Sequence, residues 1–111
     1  MKASQAAYKA AEIMSSRGHC KHALEDDDGR VCHQGALLLA YTGQRSLFSS
    51  PFLTMPQRHE LGEINETGDQ ILLAQGYDGG VVNYNNQHDT TQEDVILLLK
   101  KTARKLEEEG L

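Results

Sequence analysis

Thr91-Gln92-Glu93-Asp94-Val95-Ile96-Leu97-Leu98-Leu99-Lys100-Lys101-Thr102-Ala103-Arg104-Lys105-Leu106 is the stretch that decides the fold class. Val95, Leu98, Leu99, Thr102, Ala103 and Leu106 recur at three- and four-residue intervals, so they share one face of a helix. Lys100, Lys101, Arg104 and Lys105 fall on the opposite, wet side. Thr91 with Asp94, or Thr90 with Glu93, supplies a capping-box start. The helix is predicted over residues 91–109. Glu107, Glu108 and Glu109 oppose the helix dipole at its end, and Gly110 stops it.

Working outward, residues 4–17 carry Ala6, Ala10, Ile13 and Met14 at helical spacing, with Ser4 as N-cap and Gly18 as stop. The stripe is mostly alanine, which buries little area and suits close packing against a neighbour. Residues 34–42 are apolar on nearly every side, the mark of a buried central helix. A shorter helix is expected over 69–76, and residues 79–84 are ambiguous between a helical turn and a strand. Between the first two helices, Asp28-Gly29 reads as a type I′ turn, so residues 19–33 are expected to form a short β-hairpin. Pro51 and Pro56, with Ser, Gly and Asn around them, make 43–68 a long irregular loop. The expected fold is therefore mainly α: one domain over 1–111, a small helical bundle with a short β-hairpin after the first helix. Its expected core includes Ile13, Met14, Leu24, Leu37, Leu72, Leu73, Val95, Leu98, Leu99 and Leu106.

The whole chain is 111 residues with 39% hydrophobic and 24% charged residues, room for one core. Its net charge is -5, which argues against a general grip on nucleic acid through phosphate neutralisation. No apolar run reaches the roughly 20 residues of a membrane span. No signal-peptide pattern opens the sequence, and two cysteines in that setting suit a reducing, cytoplasmic compartment.

Two blocks then carry a resemblance. One is Gly18-His19-Cys20, Ala23-Leu24, Asp28-Gly29-Arg30-Val31-Cys32 and Gly35-Ala36-Leu37; the other is Tyr84-Asn85-Asn86, Thr91-Gln92-Glu93-Asp94-Val95 and Leu98-Leu99. In order and spacing they resemble a family of small domains encoded by actinobacteria and their phages. The resemblance implies a fold and a genomic setting, with the host cytoplasm as location for a phage-encoded member. It implies no activity. Three positions depart from the family pattern: His19 stands where an aromatic is usual, His22 where glycine is expected, and Tyr84 replaces tryptophan.

Five groupings bear on chemistry. Cys20, His22, Cys32 and His33, with His19 nearby, are zinc-type ligands. Their spacing is poor, because adjacent ligands on a strand point to opposite sides, and two of the histidines replace non-ligand positions of the family pattern. A Cys20–Cys32 disulfide is an alternative, and buried core thiols are the favoured reading; no metal or cofactor is expected. Glu25-Asp26-Asp27-Asp28 is contiguous rather than spaced like a calcium loop, and reads as a solvated hairpin tip. His59-Glu60 lacks the second histidine of a zinc-protease motif and reads as surface. His88-Asp89, with Glu93 or Asn85 nearby, is an acid–base pair in outline only; Asn85 and Asn86 are expected to hold their own turn. The basic face of the last helix reads as solvated.

The functional expectation is a non-enzymatic accessory protein that binds another protein, a host protein among the candidates, with a homodimer as a further option. Phe48, Phe52, Met55 and Arg58 in the 43–68 segment are the expected contact residues. The alternatives are a small zinc module built on Cys20, His22, Cys32 and His33, and an enzyme centred on His88 and Asp89.

Overall fold

The computed structural model describes residues 1–47 and 52–111. Five helices are formed among them: α1 (Ala3–Arg17), α2 (His33–Thr42), α3 (Met55–Ala74), α4 (Gly80–Asn86) and α5 (Gln92–Glu108). None is long and apolar enough to cross a membrane.

α1 is the hub. It packs most extensively on α5, then on α2, and touches α3. The reason lies in its alanines: Ala3, Ala6, Ala7, Ala10 and Ala11 are all buried, and so short a side chain lets the partner backbones come close. Met14 supplies the bulk, with Leu37 and Leu39 of α2, Ile64 of α3, and Val95, Leu99 and Leu106 of α5 around it. A smaller cluster, Leu72, Val81 and Leu98, joins α3, α4 and α5; Tyr77 and Tyr84 pack against it and meet each other edge to face, ring centroids 5.5 Å apart.

α5 starts as its sequence dictates. Thr91 caps it through the Asp94 N–H, and the Asp94 carboxylate accepts the Thr91 N–H in return. α1 and α2 begin within a residue of the expected positions, but Ser4 is no cap: it is buried inside α1, whose N-cap is Lys2. Residues 79–84 resolve as helix α4.

The segment expected as irregular loop is instead largely helix. From Met55 onward it belongs to the 20-residue α3. Thr54 is the N-cap, Gln57 closes a capping box, and Pro56 sits in the first turn, where a missing N–H costs nothing. The proline that read as a loop marker is a helix-start marker.

The expected β-hairpin is not formed. Residues 18–32 make isolated bridges and no strand: Val31 pairs with His19 in parallel sense and with Glu25 in antiparallel sense. Val31 thus lies between two passes of the same connection, with its N–H on the Gly18 carbonyl and its carbonyl on the Cys20 N–H. The tip turn exists in another form. Gly29 has φ +81° while Asp28 does not enter the left-handed region, so this is no type I′ turn. The Asp26 carboxylate organises it, accepting the N–H groups of Asp28 and Arg30 and pairing with the Arg30 guanidinium at 2.7 Å.

Two expected core leucines lie outside the core. Leu24 is 44% and Leu73 61% exposed. Leu73 falls on the solvent side of α3, whose buried positions are Ile64, Thr67, Gly68 and Leu72.

Candidate functional site

α2 meets the 18–32 connection with almost no clearance. A β-carbon on Gly35 would stand 1.9 Å from the carbonyl oxygen of Leu24, so only glycine fits. That same carbonyl accepts the Cys32 N–H at 3.2 Å. Cys32 is the N-cap of α2, and its sulfur accepts the Gly35 N–H.

Asn85, in the last turn of α4 and 2% exposed, locks this junction from the other side. Its side-chain oxygen accepts the His33 N–H at 3.0 Å and the His19 Nε2–H at 2.9 Å. Its amide donates to the Cys20 carbonyl and to the Asn86 side-chain oxygen. Asn86 in turn accepts the His22 N–H at 2.9 Å. Lys21 reaches the Gln87 and His88 carbonyls just beyond α4. The asparagine pair therefore clamps segments more than fifty residues distant in sequence, rather than its own turn.

These three elements enclose a cleft of about 540 Å³. His22, Ala23 and Leu24 line it from the connection, residues 32–34 from the start of α2, and Val82, Asn85 and Asn86 from α4. The described lining includes no Asp, Glu, Lys or Arg.

His33 stands out in this wall. It is 1% exposed, and burial lowers its pKa from 6.5 to about 4, so the ring is neutral near pH 7. Its Nδ1 lies 2.9 Å from the Gln34 side-chain amide nitrogen. Gln34 is held by Asn65 of α3 through a reciprocal amide pair at 2.8 and 3.1 Å. That amide nitrogen donates, so Nδ1 accepts and the proton of the neutral ring sits on Nε2. Among the described residues, His33 Nε2 is the buried side-chain polar atom with no hydrogen-bond partner.

The thiols are muted. Burial, with the neighbouring Cys32 and Asp26, raises Cys20 to about 11. Burial also raises Cys32, against the opposing pull of the Gly35 and Gln34 N–H groups. Both are buried free cysteines. The zinc alternative is not supported: His22, Cys32 and His33 line one cleft, yet among the described residues no three His, Cys, Asp or Glu side chains are placed to hold a metal ion. Part of the reason is local. His33 Nδ1 is committed to Gln34, and the Cys20 sulfur sits 3.3 and 3.4 Å from the Arg30 and Ala23 carbonyls.

The other expected residues scatter. His88 and Asp89 are exposed and outside the cleft, though Asn85, named beside them, is at its centre. Phe52 and Met55 are 78% and 74% exposed, and Arg58 is exposed one turn on from Thr54; Phe48 lies outside the described residues. His59 pairs with Glu63 at 2.8 Å on α3, while Glu60 accepts the Tyr41 hydroxyl. The acidic tip divides. Asp27 and Asp28 are solvated, but Glu25 has a side chain only 6% exposed, pairs with Arg17 at 3.3 Å and accepts from Ser46 and the Leu47 N–H.

His22 has φ +66°, the left-handed region, among the described residues the one non-glycine there. The resemblance puts glycine at this position, and the backbone shows why: the His22 N–H must turn toward Asn86.

No curated protein and no solved structure matches this chain. A family model does match, over residues 2–105, and with nearly the whole sequence inside it the chain belongs to that family: the family of unknown function DUF6197.

Proposed function

We propose that the chain is a non-enzymatic binding domain that holds a partner protein at the cleft between the 18–32 connection, the start of α2 and α4. The observation that carries this reading is the buried His33 Nε2 without a partner in the cleft's wall. A buried donor left unpaired costs about 1–3 kcal/mol, a cost that a bound acceptor removes.

The same wall is poorly equipped for catalysis. The buried His33 imidazole is neutral at neutral pH, the Cys32 thiol is raised by burial, and the described lining holds no carboxylate. The phage or actinobacterial setting implied by the resemblance belongs to this proposal, with a host protein as one source of the partner. A reducing cytoplasm suits the two free thiols.

A photo-crosslinking side chain at Val82, which is 51% exposed and lines the cleft, tests the reading in cells of the source organism. A discrete adduct, competed away by unlabelled wild-type protein, is expected. Its absence at Val82 removes the cleft reading. A second reading rests on Phe52 and Met55, large apolar side chains left outside the core at the start of α3. The same probe at position 52 distinguishes them: an adduct there and none at 82 moves the contact surface to Phe52, Met55 and Arg58.

A further inference from the structure

Within that cleft reading, on which this inference rests, we propose that the group seated against His33 is an uncharged carbonyl acceptor on a branched apolar body. The donor is His33 Nε2–H, buried and unpartnered. The Asn65–Gln34–His33 chain of side-chain contacts fixes the tautomer and holds the ring in place. Asn85 fixes the backbone of the same residue. The ring is thus a pre-oriented donor with a single open position.

The rest of the lining selects the ligand. Ala23, Leu24 and Val82 are apolar or small, and all three are exposed, so their carbon surface is available to a ligand's aliphatic part. The described lining holds no Asp, Glu, Lys or Arg. A carboxylate or ammonium pushed against His33 would lose its hydration with no countercharge to replace it. A carbonyl loses far less and matches the buried donor of His33. Nε2 is sealed from solvent in this state, so seating the acceptor requires the side chains over it to give way.

This chemistry has two sources: a peptide carbonyl beside a leucine-like side chain of the partner protein, or a free small amide. NMR titration of the uniformly labelled protein separates them. Three probes share one isopentyl body: N-methyl-4-methylpentanamide, 4-methylpentanoate and isoamylammonium. Imidazole ¹⁵N spectra first report the tautomer, and a proton on Nε2 of His33 is expected. The amide is expected to shift His33 Nε2 and the Val82 methyls saturably. The carboxylate should bind about tenfold more weakly or worse, and the ammonium should leave Nε2 unmoved. A capped Ala-Ala-Leu-Ala-Ala peptide that binds more tightly than the amide identifies a protein segment as the source; weaker binding identifies a free small molecule and overturns the partner-protein reading of the cleft.

His33→Phe should abolish the amide response. Should that variant not fold, Val82→Trp, which fills the cleft from an exposed position, should do the same with the fold intact. A proton on Nδ1, or carboxylate binding as tight as amide binding, overturns the proposal. Val82 shifts without an Nε2 response overturn the acceptor class and leave the cleft reading standing. No shift at Val82 with any probe overturns both.

Discussion

The backbone N–H of His33 donates to the side-chain oxygen of Asn85 across 3.0 Å, tying the first residue of α2 to the last turn of α4. The same oxygen accepts from His19, and the amide beside it feeds the Cys20 carbonyl. Asn85→Leu keeps the volume and removes every one of these bonds. Because the abandoned groups stay buried, the loss is expected to be about 3 kcal/mol. Urea unfolding at constant m-value measures it. Asn83→Ala, which removes one exposed bond to the Gly79 carbonyl, should cost no more than about 0.5 kcal/mol. Equal midpoints for the two variants would contradict the clamp.

Gly35 makes a sharper contrast. A methyl group there must displace the Leu24 carbonyl from 1.9 Å, and that carbonyl is backbone, bonded to Cys32. Gly35→Ala should therefore cost about 3 kcal/mol or prevent folding. Gly62 lies inside α3 with nothing within 4 Å of its would-be β-carbon. Gly62→Ala should stabilise by about 0.5–1 kcal/mol, since alanine is the better helix former. Thermal melts of the two single variants decide the matter, and a destabilised Gly62→Ala would refute the helical assignment of the former loop region.

What was legible follows physical range. α5 could be read because its cap, its face and its end are local: Thr91, Asp94 and the Val95–Leu106 stripe carry the whole argument. α2 was legible from a run apolar on nearly every side, although its Cys32 cap was not read. α3 was not, because its face is thin, with Ile64, Thr67, Gly68 and Leu72 as its buried positions, and because Pro56 pulls two ways. The Asp28-Gly29 pair signalled a turn correctly but could not signal a ladder; Val31 spends its backbone on Gly18 and Cys20 instead. His33 was noticed only as a zinc-type ligand of an alternative reading. Its residue type and its place beside Cys32 were visible, whereas its bond to Asn85 spans fifty-two residues and its buried orphan nitrogen is a property of the fold alone.

His22 bears a local strain that a simple substitution relieves. At φ +66° a β-carbon is crowded, and histidine tolerates that region better than most residues but worse than glycine. His22→Gly is expected to be neutral to stabilising, by up to about 1 kcal/mol; His22→Val should cost about 1–2 kcal/mol. Melting temperatures of both variants give the answer, and a stable valine variant would place the backbone outside the left-handed region.

The cysteines should behave as inert core groups. With Cys20 raised from 9.0 to about 11, its thiolate fraction near pH 8 falls roughly a hundredfold below that of an unperturbed thiol. Cys32 is shifted the same way by burial. Ellman's reagent should therefore label the folded protein at least about a hundredfold more slowly than the urea-unfolded chain. Rapid labelling of either cysteine in the folded state would mean an exposed, activated thiol and contradict the buried-thiol assignment.

The buried imidazole sets the response to acid. His33 binds its proton near pH 4 when folded and near 6.5 when unfolded, so between those values the unfolded chain holds more protons. Stability must then rise with pH across this window and fall as acid is added. One such group gives a slope approaching about 1.4 kcal/mol per pH unit midway through the window, flattening above about pH 7. His19, lowered chiefly by burial against the opposing Asn85 bond, adds to the slope with the same sign. Asp26 acts in the same direction but only at lower pH, since its carboxyl titrates below its ordinary 3.8. Urea unfolding at half-unit steps from pH 7.5 to 4.5 records the curve. His33→Gln lacks the titrating ring and should flatten the curve between pH 6 and 5 whatever its own stability. A wild-type curve that is flat there, or one that rises toward acid, would mean that His33 meets water or a carboxylate in the folded protein, and the neutral donor on which the cleft's chemistry depends would be lost.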